Sequence, residues 1–210
     1  MTYTSRIFDL PALEGISEKQ VKVHLALYEG YVKHVNLIIA TIAAYGHTED
    51  EGGKYAVREL RRRLGFEFDG MRMHEYYFGQ LEIGSRKPEA GSALAKAADE
   101  KYGSGTEGLI AHIKDVALTR GIGWVVVYWD AMGTGSTGLT AGTLHTIFVE
   151  DHELGQLAGL PIILALDLWE HAYMVDYVPA EKASYVESFL KNLNWSVVEK
   201  RFDITATSAA

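Results

Sequence analysis

The chain has no cysteine among its 210 residues. Disulfides, thiolate metal sites and a cysteine nucleophile are therefore excluded. No apolar run reaches the about 18 residues of a membrane span, so none is predicted. The opening Met1-Thr2-Tyr3-Thr4-Ser5-Arg6 lacks the basic and apolar regions of a signal peptide. Together with the missing thiols, this predicts a cytoplasmic protein. Positive charge is also short, with 20 Lys and Arg against 28 Asp and Glu and a formal net charge of −8. A general nucleic-acid role is excluded, because phosphate binding needs clustered cations. The one basic cluster, Arg58 with Arg61-Arg62-Arg63, reads as a solvated helix face. No internal repeat is visible. The chain does have 48% apolar and 23% charged residues, the balance of a soluble globular protein able to bury a real core.

The apolar pattern divides the chain in two. Residues 17–45 read as a helix: Ser17 with Gln20 three residues on is a capping-box signal, and Val21, Leu25, Tyr28, Val32, Val35 and Ile39 recur at helical spacing. After a polar turn over 46–53, a second helix is predicted from Lys54 to Leu64 and a third from Met71 to about Leu81, with Gly70 between them. Residues 92–119 read as two helices broken at Gly103-Ser104-Gly105. Strands are predicted at 124–129, 144–149 and 161–166, the first two joined by a glycine-rich loop over 130–142. Helices follow over 169–175, 180–190 and 195–201, and 203–210 reads as a frayed tail. The fold class is α+β. An N-terminal antiparallel helical hairpin, residues 1–86, precedes an α+β domain, residues 87–210, with a three-stranded antiparallel sheet.

The chemistry concentrates in Pro161-Ile-Ile-Leu-Ala-Leu-Asp167-Leu-Trp169-Glu170-His171-Ala-Tyr173. A strand-length apolar run ends in an Asp, and four residues later comes a His. A carboxylate at the mouth of a buried strand needs a partner or a metal. One carboxylate with imidazoles is a ligand mix suited to iron or manganese. His24 sits among Leu25, Leu27 and Tyr28 on the first helix, and His74 precedes Glu75-Tyr76-Tyr77-Phe78. Alone, each reads more readily as a core histidine than as a ligand. His34, His47, His112 and His145 read as structural or surface residues.

The run Asp167-Leu-Trp169-Glu170-His171-Ala-Tyr173 resembles the Asp-x-Trp-Glu-His-Ala-[Tyr/Phe] signature of the iron/manganese superoxide dismutases. Other motifs of that family follow in order: His24 before Tyr31-Val32-Lys-His-Val-Asn36, then Met73-His74-Glu-Tyr-Tyr77-Phe78, Gly121-Ile-Gly123-Trp124 and Asn194-Trp195. The likeness runs from Leu10-Pro11 to Phe202. It implies dismutation of superoxide to oxygen and hydrogen peroxide by one iron or manganese ion, with iron preferred, held by His24, His74, Asp167 and His171. It implies catalytic roles for Tyr31, His152, Glu170 and Tyr173. Tyr31 is the gateway on the motif, with Tyr28, one helical turn from His24, as its rival. His152 takes the place of the residue that hydrogen-bonds the metal's solvent, since Gly70, four residues before His74, cannot. Glu170 is expected to reach the partner's copy of His171 across a two-fold axis, which implies a homodimer, or a tetramer built from it.

The departures from the family pattern carry expectations of their own. His24 and Tyr31 stand one residue closer than the family's spacing. Loss of a π-bulge would do this, so a regular first helix is predicted. Val126 replaces an aromatic residue of the pocket wall, leaving Trp169, Tyr77 and Phe78 to exclude water. The family's cross-dimer His–Tyr pair falls on Leu27 or Tyr28 and on Met174. These changes favour an alternative: a metal-binding or interaction protein on the same fold with lost or altered dismutase activity. A third reading, an oxygenase with two His and one carboxylate, would leave one of His24, His74 and His171 unused.

Overall fold

A computed structural model of the protein describes residues 2–134 and 141–207. Two long antiparallel helices, α1 (Glu18–Tyr45) and α2 (Glu51–Gly79), form the N-terminal hairpin. Two shorter helices, α3 (Ala93–Tyr102) and α4 (Gly105–Ala117), lead into β1 (Gly123–Thr134), β2 (Ala141–Glu150) and β3 (Ile162–Asp167). A 3₁₀ turn at Glu170–Ala172, a second at Pro179–Glu181, α5 (Lys182–Asn192) and α6 (Trp195–Thr207) complete the chain. The sheet is antiparallel with β1 in the centre, in the order β2-β1-β3. Trp124 through Tyr128 are all buried, so β1 is covered on both faces, with α4 and α6 among the elements packed against it. That two-sided cover explains an unbroken apolar run where a half-exposed strand would alternate. No helix among the described residues is long and apolar enough to cross a membrane.

Helix α1 is α-helical throughout, with Ser17 accepting from the Gln20 backbone N–H at 3.1 Å. The Gln20 side chain does not close the capping box. Its Nε2 donates to the His171 carbonyl at 2.6 Å, and its Oε1 accepts from the Val175 N–H at 2.9 Å. A residue that reads as a local cap instead ties α1 to the turn carrying His171.

Three sequence expectations are corrected. The second and third helices are one helix, α2, running through Gly65 and Gly70. Each glycine weakens a helix by about 1 kcal/mol relative to alanine, which packing overrides. Gly70 is a site of close approach, since a Cβ there would lie 2.7 Å from the Tyr31 ring. Second, residues 169–175 form a single 3₁₀ turn and not a helix, because Asp167 Oδ1 accepts from the Trp169 N–H at 2.8 Å and holds Trp169 extended (φ −66, ψ 149). Third, residues 203–207 continue α6, anchored by Phe202, whose ring meets Trp129 edge-on at 4.7 Å. The remainder of the expected tail, residues 208–210, and most of the expected glycine-rich loop, residues 135–140, lie outside the described residues. Strands β1 and β2 extend into that loop from both sides as far as Thr134 and Ala141.

At Ala165 the free edge of β3 is closed by one side chain. Gln80, fully buried at the end of α2, donates through Nε2 to the Ala165 carbonyl and accepts at Oε1 from the Ala165 N–H (3.3 Å) and Arg201 Nη1 (3.1 Å). Ala165 lies opposite Val126 on β1, so its outward N–H and C=O would otherwise be unpaired. Gln80→Leu keeps the approximate volume and removes both bonds. The expected cost is roughly 2–4 kcal/mol of unfolding free energy by urea denaturation, from two buried backbone groups left unsatisfied. A change within about 0.5 kcal/mol would mean that the edge needs no cap.

Candidate metal centre

Asp167 ends β3 opposite Trp124, and the next N–H, that of Leu168, donates to the Gly123 carbonyl at 2.8 Å. The strand therefore delivers its last side chain into the core, where it is fully buried. With Oδ1 taken by the Trp169 N–H, Oδ2 faces inward. Three imidazoles converge on it: His24 Nε2 at 3.0 Å from α1, His171 Nε2 at 3.4 Å from the 3₁₀ turn, and His74 Nε2 at 3.6 Å from α2. The four ligand atoms lie within 4.8 Å of one another.

The donor set fits a cation. His74 Nδ1 lies 2.6 Å from the Gly70 carbonyl and can only donate to it. The lone pair of the neutral ring is thus on Nε2, which points into the cluster. His74 Nε2 and His171 Nε2 are buried with no hydrogen-bond partner, a cost that coordination would remove. Burial pushes His24 below the usual imidazole range and His74 well below it, so both rings are neutral at neutral pH, as metal ligation requires. Burial opposes the charge on Asp167, but the His171 and His24 imidazoles outweigh it and hold the carboxyl far below the usual range. One carboxylate and three imidazole donors in a buried pocket suit iron or manganese. All three imidazoles take part, so the two-His arrangement of an oxygenase does not describe this cluster.

A second layer surrounds it. Strand β2 ends at a tight turn in which Asp151 takes a left-handed conformation (φ 51), and His152 then points inward, fully buried. Trp124 Nε1–H donates to His152 Nδ1 at 3.0 Å. An indole N–H cannot accept, so His152 carries its proton on Nε2, which donates to the Tyr31 hydroxyl at 2.7 Å. Burial lowers His152 to about 4, so it stays neutral above that pH. Burial, followed by the Asp167 charge, raises Tyr31 and keeps its proton in place. The single His152 donor thus goes to Tyr31. Tyr31 also lies 5.1 Å from the His74 ring. Tyr28 turns away, its hydroxyl accepting from the Arg6 N–H (2.9 Å) and donating to Glu75 (3.1 Å).

Trp169 stacks on both His152 (4.8 Å) and His171 (5.6 Å), while Tyr77 and Phe78 each lie 4.8 Å from the His24 ring. Tyr173 does not join the cluster but stacks on Tyr185 at 5.1 Å. Tyr185 in turn donates to the Asp167 carbonyl at 2.9 Å. Glu170 is exposed beside His171. Phe66 has no place in the sequence reading, yet it meets His152 edge-on at 4.6 Å, with Arg63 lying 3.8 Å over its ring. Phe66, Gly70 and His74 follow one another at intervals of four on one face of α2. That spacing would have found Phe66 had the helix been read as continuous.

Asp69 lies just outside this layer. Burial, with the nearby charge of Glu153, raises it from 3.8 to about 6. A carboxyl raised on folding stabilises the fold fully below its unfolded value of 3.8 and loses that contribution as pH rises through about 6. Asp69→Asn, neutral throughout, is expected to melt higher than the parent at about pH 7.5 and at the same temperature near pH 4. Equal melting curves at both pH values would show that water already solvates this carboxylate.

Residues 89–201 match the family description "iron/manganese superoxide dismutases, C-terminal domain". The superoxide dismutase [Fe] of Aquifex aeolicus is 33% identical over 195 residues, covering 91% of this chain and 86% of that protein. The superoxide dismutase [Mn/Fe] of Aeropyrum pernix is 30% identical over 206 residues, 96% of this chain and 90% of that protein. The superoxide dismutase [Mn] of Mycolicibacterium smegmatis is 29% identical over 198 residues, 93% of this chain and 89% of that protein. A match over more than half of the chain, with relatives aligned along nearly all of it, means that this chain belongs to the iron/manganese superoxide dismutase family.

Proposed function

We propose that the protein is a superoxide dismutase using one iron or manganese ion, with iron the favoured metal. The observation that carries this reading is the convergence of three imidazole Nε2 atoms on Asp167 Oδ2, two of them buried without any other partner. The reaction takes two superoxide anions and two protons to oxygen and hydrogen peroxide. When bound, the metal supplies the one-electron exchange. The protein's part is positional. His24, His74, His171 and Asp167 would be the ligands, and Trp169 N–H would fix which carboxylate oxygen faces inward. Trp124 fixes the tautomer of His152, and His152 holds Tyr31 as a proton donor whose own O–H is free to face an incoming anion. Arg63 lies beside Phe66 near this pair, but it is ion-paired with Glu67 at 2.9 Å and so adds no net positive charge for steering an anion. Trp169, Phe66, Tyr77 and Phe78 restrict water.

We also propose a cytoplasmic homodimer made through the face that carries Glu170. Val23, Leu27, Met174 and Val175 are large apolar residues exposed there. They belong to α1 and to the turn that Gln20 ties to it, and such a cluster supports an interface. Glu170, exposed in the single chain, would then meet the partner's copy of His171. The boundary near residue 86 is proposed to separate the hairpin from the α+β unit, with the metal ligands drawn from both.

The test is metal analysis, superoxide removal and solution mass on one preparation. Near-stoichiometric iron or manganese, fast turnover and a dimeric mass support the dismutase and the dimer. Bound metal without turnover would leave a metal-binding protein on a dismutase fold, and no metal would sink the site assignment.

A further inference from the structure

On the outer side of α2, away from the metal ligands, a cavity of about 360 Å³ is lined by Arg6, Arg72, Glu75, Tyr76 and Arg201. Such a cluster of guanidinium groups is unexpected in a chain of net charge −8. Arg201 is the unusual member. Its guanidinium bonds only neutral acceptors: the Tyr76 carbonyl (3.0 Å), the Ile163 carbonyl (3.2 Å) and Gln80 Oε1 (3.1 Å). It also lies 4.8 Å over the Tyr76 ring. No carboxylate among the described residues pairs with it within 4.0 Å. Burial, and secondarily the Arg6 charge, lowers it to about 10.

The carboxylates nearby are already engaged. Glu75 receives Arg72 Nη1 at 2.6 Å and the Tyr28 hydroxyl at 3.1 Å. Glu82 receives Arg6 Nη2 at 3.2 Å and the Asp9 N–H at 3.1 Å. Beside the cavity, the place a Cβ on Gly79 would occupy is 3.4 Å from Arg201 Nη2 and 3.7 Å from Arg6 Nη1. Two like charges are thus held close to one point, with Glu82 Oε2 3.8 Å from it. Three guanidinium groups face two carboxylates, so the cavity carries an unbalanced positive charge. A largely buried cation without an ionic partner is costly, and an anion from solution is the simplest group to complete it. Arginine's planar donors suit tetrahedral oxyanions in particular.

We propose that this cavity is a binding site for a small oxyanion of the phosphate type, separate from the metal centre. Arg6 supplies the adjustable donor, Arg72 and Arg201 supply charge, and Glu82 competes with the ligand for Arg6.

The test is calorimetric titration of the metal-loaded protein with inorganic phosphate at constant ionic strength, repeated on Arg6→Gln and Glu82→Gln. Saturable binding in the parent is expected. Arg6→Gln should weaken it about tenfold or more, the worth of a charge-assisted bond. Glu82→Gln retains an acceptor for the Asp9 N–H but frees Arg6, and should tighten binding several-fold, a direction that a purely structural role for these residues does not produce. Phosphate should also raise the parent's melting temperature, as a ligand specific to the native state does. No saturable heat would overturn the proposal. Binding indifferent to both substitutions would place the anion elsewhere, the metal centre included, and would equally overturn it.

Discussion

Replacing His74 with alanine is expected to remove metal and superoxide removal together while leaving the fold in place. Loss of a residue that only contacts a ligand already costs about 10–100-fold in metal affinity or activity. A direct ligand should cost more, so activity is expected below about 1% of the parent. The geometry makes His74 the sharpest choice of the three imidazoles. Its Nδ1 is fixed by the Gly70 carbonyl and its Nε2 has no other partner. Apart from that one carbonyl bond, its polar atoms serve the cluster. The helix carrying it is held elsewhere, through Met71, Met73, Tyr77 and Phe78 in the core. Circular dichroism should therefore remain native while metal content and turnover fall in parallel. His47→Ala, on the exposed turn after α1, should change neither. Turnover surviving in His74→Ala with stoichiometric metal would remove His74 from the ligand set.

Part of the proposed site is visible in the residues themselves, at Asp167 and His171, whereas His24 and His74 stand out only through the family motifs around them. Asp167 ends an apolar strand, where a carboxylate cannot stay unpartnered, and His171 follows within one turn. What bonding pattern alone cannot reveal are the roles of neutral polar residues. Gln20 reads as half of a capping box, yet its amide spans from α1 to the His171 turn. Gln80 reads as a helix end, yet it completes the edge of β3. An amide can donate and accept at once, so its partners are set by whichever backbone groups the fold leaves open. That is a tertiary fact, and no local spacing encodes it. The 3₁₀ turn after Asp167 was hidden for a related reason: a side-chain bond to the Trp169 N–H competes with the helix that the aromatic and acidic residues would favour.

Gly70 is the clearest case of a residue whose local reading points the wrong way, and Gly70→Ala is expected to show it. By helix propensity alone, alanine in the middle of α2 should stabilise by about 1 kcal/mol. The structure predicts the opposite. The new Cβ would lie 2.7, 2.8 and 3.1 Å from three atoms of the Tyr31 ring. That ring cannot simply swing away, because its hydroxyl is held by His152 at 2.7 Å and the ring packs against Phe66 (6.3 Å) and the His74 ring (5.1 Å). Overpacking of this kind costs about 1–3 kcal/mol, enough to cancel the propensity gain. The more telling effect is on function. A displaced Tyr31 loses the His152 bond, while His74, whose Nδ1 bonds the residue 70 carbonyl and not a side chain, keeps its place. Metal content is therefore expected to stay near the parent value while turnover drops, on the order of tenfold or more for a misplaced proton donor. Tyr31→Phe, which removes the hydroxyl without the clash, should reproduce the loss of turnover but not the loss of stability. Gly70→Ala with full turnover and higher stability would mean that the ring has room to move, and that this glycine is an interruption in the helix and no part of the site.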